Sequence, residues 1–292
     1  MAHYLAYAME SRGDDSWGGS DGTDLIKRVG PISQSFLVPK DWQRAIFHTR
    51  AATVGAVSER NAHPFSVERK DRAPIIGIHN GGVWNWKELN DKYHRECQVD
   101  SEHIFYQLAH GLPLDELRGR GTVVYFDEFD NERLINLVRW QHGDLEVATT
   151  AEDGVVFCSN KDPIERAARF ARVKDVKFLA PFTDLYRYVL TPEEAIDTKE
   201  KLGFDKTFFS QASTTRTSSQ NTTVGNRKDW DRDMKLCVKC NKVHTDHIVC
   251  GGCQKFIRFK FEEMRKSQGT PRTSIPLVCI AAAAALNRGD LS

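Results

Sequence analysis

A mixed α and β body joined to a small cysteine-bearing appendage is the fold class this sequence predicts, and three observations predict it. Apolar residues recur at helical spacing in some segments and in short alternating or continuous runs in others. Gln211 to Asn226 is rich in Ser, Thr and Asn with little to bury, which is the composition of a linker. Beyond it, Cys237, Cys240, Cys250 and Cys253 stand as two Cys-x-x-Cys pairs. At 292 residues, 40% hydrophobic and 28% charged, the chain can bury a large core and has the composition of a soluble globular protein.

Taken in order, Met1 to Glu10 places Tyr4, Leu5, Tyr7, Ala8 and Met9 at helical spacing, and Ser11 to Thr23 reads as a Gly- and Asp-rich loop. Ala45–Phe47 and Ile75–Ile78 are short apolar runs that suit buried strands. Trp84–Tyr93 and Glu102–His110 read as helices. The period then changes: Thr122–Phe126, Leu134–Trp140, Leu145–Thr149 and Val155–Cys158 are strand-like and separated by Asp, Glu, Asn and Gly. Asp162 to Arg172 opens on an Asp-Pro pair and has helical spacing. Strands are expected at Val176–Leu179 and Leu185–Val189, and a last helix at Pro192–Lys201. The organisation expected is a body over 1–205, a polar linker over 206–230, a metal-binding module over 231–262 and a tail over 263–292.

Charge separates the parts. Residues 226–272 hold 12 basic and 6 acidic side chains, whereas the rest of the chain is net acidic and the whole is +1. Any polyanion contact would belong to the appendage, unless the excess is merely a solvated basic tail. No basic segment followed by an apolar run opens the chain, and Ile275–Leu286 is about half the length that spans a bilayer. A cytoplasmic protein with no membrane contact is expected, and the cysteines do not read as a secreted disulfide set.

Three blocks carry chemistry. The first is Arg12-Gly13-Asp14-Asp15-Ser16. The second is His48-Thr49-Arg50-Ala51-Ala52-Thr53, continuing to Asn61-Ala62-His63-Pro64-Phe65. The third is His79-Asn80-Gly81, with Asp100-Ser101-Glu102 further on. Each alone has an ordinary explanation: a surface arginine, a turn at Asn-Gly, structural histidines and a helix-capping acid.

Their order and spacing together resemble the glutaminase domain of class II glutamine amidotransferases, over roughly residues 1–190. That resemblance implies the four-layer αββα sandwich of N-terminal-nucleophile hydrolases. It also implies hydrolysis of glutamine to glutamate and ammonia, with the ammonia passed to an unknown acceptor held by a separate synthetase or other acceptor-binding protein. Such chemistry needs a thiolate attacking a carboxamide and a donor pair for the oxyanion. The resemblance assigns the donor pair to the Asn80 side chain and the Gly81 backbone N–H. It assigns the glutamine α-carboxylate to Arg50 and Thr53, the α-ammonium to Asp100, and a place beside the nucleophile loop to Arg12.

The family's nucleophile is an N-terminal cysteine whose own α-amine, titrating near neutrality, takes the thiol proton. No cysteine precedes Arg12 here. Two expectations follow: an upstream start that supplies a Cys-bearing strand, or a catalytically inactive glutaminase fold that binds protein or nucleic acid through its appendage. In the appendage, two Cys-x-x-Cys pairs give a tetrathiolate site for structural Zn²⁺, a zinc ribbon. Iron or free thiols are the alternatives, and His244 or His247 could replace one ligand. Lys255-Phe256-Ile257-Arg258-Phe259-Lys260-Phe261 reads either as a half-buried ribbon strand or as a surface for nucleic acid.

Overall fold

A computed structural model of the chain describes residues 1–35, 39, 42, 44–129, 132–150, 154–190 and 199–204, with the backbone of 235–236, 243–244 and 277–280. It divides into two units, residues 1–208 with 275–292, and residues 209–274. The four ribbon cysteines, the expected linker and the basic segment 255–261 lie outside the described residues.

Helix α1 (Ala2–Met9) is built from strong helix formers and buries Leu5 through Met9. A 3₁₀ turn at Glu10–Arg12 leads into strand β1 (Ser16–Ser20), every residue of which is buried. The loop expected from Ser11 to Thr23 therefore contains an interior strand. The glycines that suggest a loop are what let it lie there: a Cβ on Gly19 would stand 2.3 Å from the Phe47 ring. Strand β2 (Leu25–Val29), a short helix α2 (Ile32–Ser35) and strand β3 (Arg44–Arg50) follow, with β1 antiparallel between β2 and β3.

Next come β4 (Phe65–Val67), β5 (Ile75–Val83), α3 (Trp86–Tyr93) and α4 (Glu102–His110). Then β6 (Gly119–Phe129), β7 (Glu132–Trp140), β8 (Glu146–Thr150) and β9 (Gly154–Cys158) run as antiparallel neighbours within two sheets. Helix α5 (Lys161–Ala171) carries Asp162-Pro163 in its first turn and is followed by Arg172 in the left-handed region, φ 59°. Strands β10 (Lys177–Phe178), β11 (Tyr186–Leu190) and β12 (Lys199–Lys201) close the first unit's main run. The helix expected at Pro192–Lys201 is corrected at its end, because 199–201 pairs antiparallel with β11. Two-residue strands β13 (Lys235–Leu236) and β14 (Val243–His244) pair in the second unit. Strand β15 (Leu277–Ile280) pairs parallel with β3.

Among the described residues the sheets of the first unit are ordered β15-β3-β1-β2, β10-β8-β9 and β12-β11-β7-β6-β5-β4. Strand alternation sorts their side chains into two cores. One gathers Ile46 of β3, Ile78 of β5, Val124 and Phe126 of β6, and Val147 and Phe157 of β8 and β9. The other, on the opposite face of β5 to β7, gathers Ile75, Val83, Val123 and Trp140 with Leu89, Ile104 and Phe105 from α3 and α4. Helices α1 and α5 meet elsewhere, where the Tyr4 and Phe170 rings stack at 5.7 Å. The end of β5 thus lies under the N-terminus of α4, and that junction positions the site.

Candidate active site

A small, partly open cleft is lined by His48, Arg50, Thr53, Val54, His63, His79, Gly81, Asp100 and Ser101, among others. Four of the residues singled out by the sequence, Arg50, Thr53, Gly81 and Asp100, come together there. Two do not line it. Asn80 projects from the face of β5 opposite His79 and Gly81. Arg12 sits in the 3₁₀ turn after α1, with its guanidinium against the Asn160 side chain.

Arg50 is the last residue of β3. Alternation puts His48 and Arg50 on the cleft side and Thr49 on the other, where its hydroxyl donates to the Met9 carbonyl at 3.0 Å. The Arg50 guanidinium is 4% exposed and donates to the carbonyls of Val54 and Ala56 in the following loop. Burial pulls it below its ordinary value, and the charges of Asp100 and Asp15 pull it back up. The loop is fastened twice more: Ala52 N–H donates to Asp15 Oδ2 at 2.7 Å, and Asn61 Nδ2 donates to the Ala56 carbonyl at 2.9 Å. Thr53 stands exposed at the rim.

Asp100 faces this arginine across the cleft from the start of α4. It is 9% exposed, and its Oδ2 accepts from Val83 N–H at 2.7 Å. Burial raises its carboxyl above the usual range, with the backbone N–H groups of Val83 and Ser101 and the charge of Arg50 opposing. Next to it, Ser101 Oγ lies 3.0 Å from His79 Nδ1, while His79 Nε2 lies 3.1 Å from the Arg120 carbonyl of β6. Gly81 must be glycine: a Cβ there would stand 2.0 Å from that same carbonyl oxygen.

Three buried histidines complete the walls. The rings of His48 and His63 approach to 4.1 Å, and the nitrogens of both lack hydrogen-bond partners. Burial holds all three neutral, lowering His48 to about 3, His79 to about 4 and His63 well below its ordinary value. Among the described residues no cluster of His, Cys, Asp and Glu has the arrangement to hold a metal ion. The described cysteines lie away from the cleft. Cys97 is buried, and Cys158 is buried against the Met9 sulfur with its thiol pushed up to about 11. A neutral, protonated thiol of that kind is a core residue, not a nucleophile.

The arrangement is therefore a small cleft with a buried cation on one side and a buried carboxylate on the other. Residues 38–163 match the family of class II glutamine amidotransferases. Over that segment the chain is similar to class II glutamine amidotransferases.

Relatives of the chain include two glutamine--fructose-6-phosphate aminotransferases (isomerizing). The one from Streptococcus pneumoniae (strain ATCC BAA-255 / R6) is 28% identical over 169 residues, covering 53% of this chain and 26% of the relative. The one from Bordetella pertussis (strain Tohama I) is 37% identical over 116 residues, covering 35% and 19%. The chain thus spans about a quarter or less of the length of these relatives. In fold, the chain is similar to the allosteric regulatory enzyme of purine biosynthesis. The TM-score is 0.50 at 16% identity, over 68% of this chain and 45% of that one. No helix among the described residues is long and apolar enough to cross a membrane.

Sequence reading missed Asp15, Asn61, His79 and Ser101 as parts of the site's framework. All four stand inside the quoted blocks, so the signal was present; what was missing was their pairing with backbone and side chains far away in the chain.

Proposed function

We propose that the chain binds glutamine in this cleft and takes part in releasing its amide as ammonia for an acceptor held by another protein or domain. One observation carries the reading: Arg50 and Asp100, oppositely charged and both nearly inaccessible, line one cavity. A free amino acid presents the matching pair of charges. Two buried, unlike charges facing a small cavity are otherwise expensive, and a zwitterion repays that cost.

In this reading the α-carboxylate takes donors on Arg50 beyond the two already given to Val54 and Ala56; a guanidinium has five. Asp100 takes the α-ammonium, and Thr53 closes the rim. Gly81 N–H polarises the carboxamide carbonyl, and the Asn80 amide would have to turn from the other face of β5 to join it. Hydrolysis also needs a thiolate, which neither described cysteine brings to the cleft. The two cores on opposite faces of β5 to β7, one against other strands and one against α3 and α4, support the αββα sandwich expected of the amidotransferase family. The β13–β14 ladder brackets the first Cys-x-x-Cys pair in sequence, which supports a structural zinc on Cys237, Cys240, Cys250 and Cys253.

Calorimetric titration with glutamine tests the assignment. Arg50→Ala is expected to weaken binding about 10- to 100-fold, the range for losing a hydrogen-bonded charge. Unchanged affinity in that variant, or no binding by the parent chain, overturns it.

A further inference from the structure

The two hydrogen bonds of His79 have a consequence for which amide the cleft accepts. A carbonyl oxygen can only accept, so the nitrogen facing Arg120, Nε2, carries the ring proton. Nδ1 is then a lone pair, and the Ser101 hydroxyl donates to it. The ring is neutral and sits 2% exposed, against the Cα positions of Gly81 and Gly121. It is held in one tautomer and one place.

Ser101 is the neighbour of Asp100, and Asp100 is itself bonded to Val83 at the end of β5. Residues 79–83 therefore hold Gly81 directly and hold Asp100 at two points, through Val83 N–H and through His79 and Ser101. The separation of Gly81 from Asp100 is set by one short strand segment, not by two independently mobile elements. That separation is the span between the α-ammonium and the side-chain carbonyl of a bound amino-acid amide.

Resting on the glutamine reading above, we propose that His79 and Ser101 are positioning residues that fix this span and so select a five-carbon amide, glutamine, over the four-carbon amide, asparagine. Neither needs to touch the ligand; they act through Asp100 and Gly81. Cutting the Ser101–His79 bond leaves Asp100 tied to β5 at one point, and the carboxylate can then follow a shorter ligand.

The test is calorimetric titration of the chain with glutamine and with asparagine, for the parent, Ser101→Ala and Ser101→Thr, with melting temperatures measured alongside. Ser101→Ala is expected to cut the glutamine-to-asparagine affinity ratio by about tenfold, within the range that one methylene discriminates. Ser101→Thr, which keeps the hydroxyl, is expected to restore the ratio. A purely structural role would lower the melting temperature of Ser101→Ala and leave the ratio where it was; that result overturns the proposal while the glutamine reading stands. A parent chain that binds neither amide removes the glutamine reading, and this inference falls with it.

Discussion

The two walls of the cleft are held in different ways. On the Asp100 side, the carboxylate is fastened to Val83 N–H, and the adjoining Ser101–His79–Arg120 chain runs from α4 across β5 to β6. The links there join β5 to β6 and to the turn that opens α4. On the Arg50 side, the guanidinium is occupied by carbonyls of the loop that follows it, and Gly55, Ala56 and Val57 of that loop are exposed. The difference teaches that one wall is preorganised and the other is adaptable. The ammonium end and the carbonyl end of a ligand meet fixed partners, while the arginine must share or exchange its hydrogen bonds as the ligand's carboxylate enters.

The largest effect that could break this comparison is on the rigid side. Gly81→Ala places a Cβ 2.0 Å from the Arg120 oxygen and 2.6 Å from Gly121 Cα, so backbone has to move. A loss of about 3 kcal/mol or more in chemical denaturation is expected, at the upper end of overpacking costs. A variant as stable as the parent would show that this wall yields.

Acid provides the next largest effect. His48, His63 and His79 are kept neutral by burial, two of them down to about 3 and about 4. In the unfolded chain they protonate near pH 6.5. Between pH 6.5 and about 4 the unfolded state therefore binds more protons, and stability falls as pH falls, by up to about 1.4 kcal/mol per pH unit for each histidine. The raised carboxyls of Asp100 and Glu10 act with the opposite sign toward the acid end of that window. The expected outcome is a melting temperature that drops between pH 7 and pH 5, before ordinary carboxylates titrate; a flat profile would mean the histidines are hydrated.

Smallest is the loop. Asn61→Ala removes the bonds to the Ala56 carbonyl and to Gln98. It is expected to cost about 1 kcal/mol of stability, to speed amide hydrogen exchange at 54–57 and to leave exchange in β5 as it was. Equal acceleration in both would erase the distinction between the walls.

Much of this site was legible in the sequence because its parts are short blocks in a fixed order: Arg50, Thr53, Gly81 and Asp100 each sit in one, and the cleft gathers all four. The strands β5 to β9 were legible as short apolar or strand-like runs bounded by Asp, Glu, Asn and Gly. Strand β1 was not, since its Gly18-Gly19 centre has the composition of a turn; it forms a strand by pairing with β2 and β3, where only glycine fits beside Phe47 and the His63 carbonyl. The end of Pro192–Lys201 was misread because Glu200 and Lys201 are good helix formers, and pairing with β11 overrode that local preference. The clamp on Asp100 was invisible for a different reason. Val83 and His79 are 17 and 22 residues away from their partners Asp100 and Ser101, and no periodicity encodes such a contact.

The central claim is that the cleft recognises both charged ends of a free amino-acid amide. It is tested most directly by titrating the chain with glutamine, with its analogue lacking the α-amine (4-carbamoylbutanoate) and with its analogue lacking the α-carboxylate (4-aminobutanamide). Both analogues are expected to bind at least about tenfold more weakly than glutamine, because each leaves a buried charge unpaired. Equal affinity for all three would contradict the account.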